Sequence, residues 1–454
     1  MSGSSAGTLR DFFAANIVHL GLLAVFSVLI VGGLYSRYVM MAATALIAVF
    51  MVFTPLGRNV EDLFYLLAFE NVFKISAGSS SMFTYLQIIA LAKLLFARKK
   101  VVENGTSFTL TFLMVAYCAL ISFTTLTSLV KFGIGLFLLF FSFAEGEKTF
   151  LDKKGIVIAY CFGILISSLW ALTGLSQFAR YISSVIVRLA DGSGVTRFSG
   201  LLENPNYYSM EISFALAALA ILYLRDEIRH EFALFGIPLL VLGSMSQSKA
   251  FLLTLAVEAL IFFFYLSRKS YRTLIGILFG AAAVYVVFNS RINSFIATYF
   301  SRVTVLTDVL DDSSTLAAAT TGRSEIWRQY LIISASDARS LMLGRGMDRG
   351  LTGFADPHNM FIELLFTLGI VGMIIYYLSL YTYIPARTNW KFMPILILAF
   401  LMRAFAANIA YYNNTWYYYI LILVLLDDRE AFTADETQTG KSLYLKSPDK
   451  VTLW

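Results

Sequence analysis

Apolar stretches of about 20 residues, enough for one helical crossing of a bilayer, recur along the chain and are broken by short charged clusters. The runs at 12–34, 38–55, 80–97, 108–127, 129–144, 156–175, 207–224, 232–247, 250–267, 273–290, 359–384, 391–408 and 412–426 each predict a membrane helix. The stretch from Glu61 to Ile75 adds a short helix candidate. The fold class expected from this pattern is an all-α, polytopic membrane bundle of about 12–13 transmembrane helices. No repeat period argues for a solenoid, and no inverted pair of interrupted helices of the secondary-transporter kind is legible.

The charges between the runs orient the bundle. Basic clusters stand at Arg98, Lys99 and Lys100; Lys148, Lys153 and Lys154; Arg225 and Arg229; Arg268, Lys269 and Arg272; and Arg387 with Lys391. All lie in short connections, which the positive-inside rule places in the cytoplasm. The segments Ser176–Asn206 and Arg291–His358 are then expected outside and the tail after Leu426 inside. The side of the N-terminus stays open, because the short helix candidate changes the parity. Three segments follow: N-terminal transmembrane helices at 1–190, a region at 191–426 that includes the outer loop 291–358, and a solvated tail at 427–454. Phe295, Tyr299, Phe300, Ile326, Trp327, Tyr330, Leu331 and Ile332 give that loop partly helical spacing, which predicts interfacial helices roofing a cavity.

Composition agrees with this picture. Of 454 residues 58% are hydrophobic and 14% charged, with a mean hydropathy of +0.73, which argues against a water-soluble domain. The net charge of +6 belongs to the loops rather than to a nucleic-acid footprint, so no nucleic-acid partner is expected. Cys118 and Cys161 both lie inside apolar runs and support neither a disulfide nor a thiolate metal site. The run from Phe12 to Leu34 exceeds a signal-peptide core and predicts a retained first helix. Walker A, dinucleotide, His-Glu-x-x-His and Gly-x-Ser-x-Gly motifs are all missing, which leaves ATP-driven transport, nicotinamide chemistry, zincin proteolysis and serine hydrolysis without support.

Four residues are candidates for chemistry. His358 stands in Asp356-Pro357-His358-Asn359, where the outer loop enters a helix. With Asp356 as N-cap and Pro357 at the first helical position, His358 falls in the first turn, where the helix dipole favours neutral imidazole. Such a group suits a general base; an ordinary capping or surface histidine is the alternative. Arg197, directly before the seventh run, and Arg323, within the outer loop, share the outer side with His358. Their planar donor forks suit phosphate oxygens, unless each snorkels to headgroups or pairs with a neighbour such as Glu203 or Glu325. Lys249, at the outer end between two runs with almost no loop, is costly there unless it is paired or binds an anion. Asp308, Asp311 and Asp312 read as a solvated acidic cluster rather than a metal site.

The ordered set Arg197-Phe198-Ser199-Gly200, Asn204-Pro205-Asn206, Ser246-Gln247-Ser248-Lys249, Gly322-Arg323 with Trp327, Leu343-Gly344-Arg345-Gly346, and Pro357-His358-Asn359 with Glu363 and Leu368-Gly369-Ile370-Val371-Gly372 resembles the O-antigen ligase and polymerase superfamily. The likeness covers about the C-terminal 260 residues. It implies a GT-C-like membrane glycosyltransferase of the bacterial plasma membrane, acting on its periplasmic or exterior face with a polyprenyl-diphosphate-linked glycan donor. Under that resemblance His358 is the general base and Arg197 and Arg323 bind the diphosphate. Lys249 stands where the family usually has arginine, keeping the charge and losing the fork. No metal or other cofactor is implied.

Expected partners are the lipid-linked donor, a glycan or lipid-core acceptor, membrane lipids and a chain-length regulator. Polymerisation of repeat units into O-antigen, capsule or exopolysaccharide is favoured over ligation to a lipid A core, on chain length and aromatic content. A lipid-linked-oligosaccharide flippase using the same basic cavity to bind rather than react is the alternative from another class.

Overall fold

The computed structural model describes residues 9–75, 81–97, 105–122, 126–143, 151–174, 188–190, 196–202, 204–303, 323–347, 357–384, 388–406 and 413–428. The described chain is almost entirely helical. The N-terminal helices are α1 (Leu9–Gly32), α2 (Arg37–Phe53), α3 (Leu56–Leu67), α4 (Phe83–Ala97), α5 (Gly105–Ile121), α6 (Leu126–Phe143) and α7 (Lys153–Leu172). An antiparallel ribbon follows, β1 (Arg188–Ala190) with β2 (Thr196–Phe198), in which Arg188 faces Phe198 and Leu189 faces Arg197. Then come α8 (Pro205–Leu224), α9 (His230–Met245), α10 (Lys249–Lys269), α11 (Tyr271–Val303), α12 (Arg323–Ser334), α13 (Ala338–Leu343), α14 (Met360–Thr382), α15 (Met393–Ala406) and α16 (Asn413–Leu426). Among the described residues, α6, α7, α8, α10 and α14 are long and apolar enough to cross a membrane, and seven shorter apolar helices accompany them. This is the architecture of a helical membrane protein.

The apolar runs form these helices because little within them breaks the backbone ladder beyond Pro238 inside α9 and Gly369 inside α14. Their starts are set by side-chain caps: Asp152 for α7, Asn204 followed by Pro205 for α8, and Ser248 for α10 each accept a backbone N–H of the first turn. Large rings fill the interior; Phe64 packs edge-on against Tyr160 and Tyr417, and Phe214 stacks on Tyr418 at 4.2 Å. Outward faces are apolar too, with Phe53, Ile237, Leu260 and Phe279 exposed. An apolar exterior on an apolar interior is what a bilayer solvent requires.

Three expectations are corrected. The short helix covers Leu56–Leu67 rather than Glu61–Ile75, and Asn59 through Leu67 are all buried. It starts early because Pro55 provides a fixed φ at the cap position. The helix at 273–290 continues without interruption to Val303, since no glycine or proline falls between residues 281 and 303. Phe295, Tyr299 and Phe300 therefore extend that helix instead of starting an interfacial one. Finally, α14 is interrupted at Gly369, which has φ 63.

The Gly369 break explains one sequence motif. Leu343-Gly344-Arg345-Gly346 crosses α14 at the break, and the backbone N–H groups of Arg345 and Gly346 donate to the carbonyls of Phe366 and Thr367 at 2.9 and 3.0 Å. The Tyr117 hydroxyl stands 2.7 Å from the carbonyls of both Leu343 and Leu368. Gly344 has φ 75, and a Cβ there would lie 2.4 Å from the Thr367 carbonyl oxygen. Only glycine fits such a crossing.

The bundle has two chemically distinct ends. At one, Lys153 donates to the Asp427 carbonyl at 2.5 Å and Lys154 pairs with Glu231 at 2.8 Å. Arg225 pairs with Asp428 at 2.5 Å, and Lys269 donates to the Tyr223 carbonyl at 2.8 Å. Lys93, near the end of α4, caps the end of α2 by donating to the carbonyls of Met51, Val52 and Thr54. The described members of the basic clusters thus meet where α2, α4, α8, α10 and α16 finish and α3, α7 and α9 begin. His19 of α1 pairs with Asp62 of α3 at 2.8 Å, so α1 rises from this same end. Starts of α8, α10 and α14 lie at the other end, with the ribbon and α12.

Candidate functional site

At that other end, β2 is locked onto the first turns of α8. Phe198 meets Tyr208 edge-on at 5.3 Å, and Gly200, at φ 60, passes so close that a Cβ would stand 2.6 Å from the Tyr208 ring. The Tyr208 hydroxyl is 2.7 Å from that of Ser168. This clamp aims Arg197. Its Nε donates to the Ser246 carbonyl at 3.0 Å and its Nη2 to Asn206 Oδ1 at 2.9 Å. Arg197 thereby joins the end of α9 to the start of α8, bringing two sequence-distant motifs together with the fork geometry that lysine lacks. Glu203 lies outside the described residues.

Lys249 is the first residue of α10, directly after the cap Ser248, and it is exposed. The preceding turn is tight, with Gln247 at φ 49 and the Ser246 hydroxyl accepting the Ser248 N–H at 3.3 Å. Lys249 is therefore near the Arg197 anchor along the chain, and no described contact carries its ammonium into the cluster.

Arg323 opens α12 and is half-buried. Burial pushes it down from the ordinary guanidinium range, and the Tyr207 oxygen, one residue beyond Asn206, acts in the opposite direction. Glu325 is engaged elsewhere, with Arg328 at 3.5 Å and Gln329 at 3.3 Å. One turn after Arg323, the Trp327 indole N–H donates to the Pro357 carbonyl at 2.5 Å. That bond ties α12 to the residue before His358.

The position of His358 differs from expectation. Asp356 lies outside the described residues, and the cap of α14 is Asn359, whose side-chain oxygen accepts the N–H groups of Phe361 and Ile362 at 3.0 and 3.2 Å. His358 consequently precedes the helix, with φ 49, instead of sitting in its first turn. The reason is local: asparagine caps as well as aspartate, and Asn359 itself has the extended backbone that a cap takes, with φ −151 and ψ 116. His358 keeps its place at the positive end of α14 and gains an unusual backbone conformation, of the kind that marks functional positions.

Arg197 reaches Asn206 and Arg323 feels Tyr207, both on the first turn of α8, while the Trp327–Pro357 bond ties the His358 segment to the helix that Arg323 opens. Below that turn stands a group missed in the sequence. Arg403 of α15 is 2% exposed, with its Cζ 5.8 Å from the Tyr207 ring centroid and 4.4 Å from that of Tyr418. Its Nη2 is 3.6 Å from Glu211 Oε1. The Glu211 carboxylate accepts hydrogen bonds from the hydroxyls of Tyr160 and Tyr418. A signal existed: Arg403 and Glu211 are charges inside apolar runs, and an ionisable residue within a membrane segment is a functional candidate by default.

Among the described residues no three His, Cys, Asp or Glu side chains gather as metal ligands, and Asp308, Asp311 and Asp312 lie outside them. The chain matches no protein-family model, no curated protein and no solved structure. What the fold defines is a class, the helical membrane protein, with cations and one strained histidine at the end opposite its basic clusters.

Proposed function

We propose that this chain is a GT-C-like membrane glycosyltransferase that polymerises polyprenyl-diphosphate-linked oligosaccharide repeat units into a surface polysaccharide. Its site faces the outside of the bacterial plasma membrane. The observation that carries this reading is the pairing of Arg197 and Arg323 with neighbouring residues of the first turn of α8, together with the bond that ties the His358 segment to the helix of Arg323.

The chemistry is a displacement at the anomeric carbon. His358 takes the proton of the acceptor hydroxyl as its oxygen forms the new glycosidic bond. The bond from that carbon to the diphosphate breaks, and the electron pair leaves with the diphosphate. Arg197 and Arg323 stabilise the charge that develops there, and Lys249 adds to the field from the exposed rim. Because burial lowers Arg323 from its ordinary range, a doubly anionic group beside it relieves an unfavourable desolvation. A leaving group already this good needs no separate acid.

The test uses the purified protein with a polyprenyl-diphosphate-linked single repeat unit as its only glycan. A ladder of longer lipid-linked glycans, abolished in a folded His358→Ala variant, is the expected result. Transfer only after a lipid-core acceptor is added makes the protein a ligase. A full ladder from His358→Ala rejects the base assignment, and lipid translocation without any chain growth rejects the enzyme.

A further inference from the structure

Arg403 has only part of its hydrogen bonding satisfied. It is almost fully buried, yet its Nε and Nη1 atoms have no acceptor among the described residues. The approach to Glu211, at 3.6 Å, is an ion pair too long for a hydrogen bond. Glu211 does not depend on it, because the hydroxyls of Tyr160 and Tyr418 already donate to that carboxylate. A buried guanidinium with idle donors is an expensive arrangement unless a ligand uses them.

Position indicates which ligand. Tyr207 and Glu211 are four residues apart on α8 and so share one face, and Arg403 lies against both. The Tyr207 ring is half-buried and lies 5.8 Å from the Arg403 Cζ, and it follows Asn206, the residue that holds Arg197.

We infer that Arg403 is a further ligand of the donor's diphosphate, giving its Nε and Nη1 hydrogens to a phosphate oxygen once Tyr207 swings aside. This rests on the glycosyltransferase reading above. In the resting state Tyr207 covers Arg403 and Glu211 balances its charge; with donor bound, the two tyrosine hydroxyls hold Glu211 while Arg403 turns to the phosphate.

The alternative role for Arg403 is neutralising Glu211, and a paired substitution separates the two. Arg403→Gln/Glu211→Gln removes both charges together, so no buried ion is left alone. Binding of farnesyl diphosphate to the detergent-purified full chain is measured by titration calorimetry, alongside thermal unfolding and the ladder assay. The expected result is a folded double variant that binds this probe about tenfold to a hundredfold more weakly than the parent, and more weakly than Glu211→Gln alone, which keeps the Arg403 guanidinium. Affinity equal to the parent in the double variant overturns the inference and leaves the glycosyltransferase reading standing. No probe binding and no ladder in the parent overturns both.

Should the double variant fail to fold, Arg403→Lys keeps the charge beside Glu211 and loses the Nε donor; undiminished affinity there overturns the inference equally. Phosphatidylglycerol is expected not to compete. If it displaces the probe from the parent but not from Arg403→Lys, the arginine belongs to a headgroup phosphate and the inference falls.

Discussion

The indole N–H of Trp327 donates to the carbonyl of Pro357 at 2.5 Å. This bond joins the helix that begins with Arg323 to the residue before His358, across 30 positions of sequence. Both attached groups depend on it: the guanidinium one turn earlier on α12 and the imidazole one residue later in the loop.

Trp327→Phe keeps the ring and removes the donor. The expected loss of stability is modest, about 1 kcal/mol, while chain formation falls about tenfold because the two sides of the site lose register. Initial rates of ladder formation beside thermal unfolding separate these effects. A rate equal to the parent's shows that the bond does not position the site.

Gly344→Ala tests the crossing at the α14 break. The new methyl has to enter at φ 75, 2.4 Å from the Thr367 carbonyl oxygen, and neither backbone yields easily. Destabilisation of about 3 kcal/mol or more is expected, seen as a lowered unfolding temperature in detergent. Unchanged unfolding shows that the crossing relaxes.

Arg197 and Lys249 differ in what they touch. Arg197→Lys loses the two-point hold on Ser246 and Asn206, so both stability and donor affinity should fall. Lys249 is exposed, and Lys249→Ala should alter stability by no more than about 0.5 kcal/mol. Its effect on donor affinity should shrink as salt rises, since an exposed charge is screened. A salt-independent loss at Lys249 places its ammonium inside the site instead.

Asp337 gives a pH prediction. Its carboxylate is held below the usual range, first by the Ser340 backbone N–H and then by the Ser340 hydroxyl, both at 2.7 Å; Arg345 stands 3.2 Å away. A depressed carboxylate stabilises the fold fully above its unfolded value, about pH 4, and that contribution disappears as pH falls through the lower folded value. Unfolding temperature of the parent should therefore drop on acidification more than that of Asp337→Asn. Parallel acid curves mean that this cap contributes nothing.

The membrane-helix pattern was legible in the sequence because it is a one-dimensional property. A run of apolar residues long enough to span a bilayer forms a helix whatever its neighbours are, and α1, α2, α4 through α11 and α14 through α16 begin within about three residues of the expected runs. Charge position along the chain likewise separates the basic loops from Arg197, Arg323 and His358.

Tertiary structure decided the rest, because it depends on which surfaces meet. The cap at Asn359 rather than Asp356 is a choice between two adequate residues. Nothing local marks Gly369 as a break; it becomes one when Gly344 crosses there and the N–H groups of Arg345 and Gly346 donate to the freed carbonyls. Arg403 and Glu211, isolated charges in separate apolar runs, acquire meaning only when α8 and α15 place them face to face beneath Tyr207. Sequence spacing records what a residue is and how far it lies along its own helix; it holds no record of the partner that another helix brings.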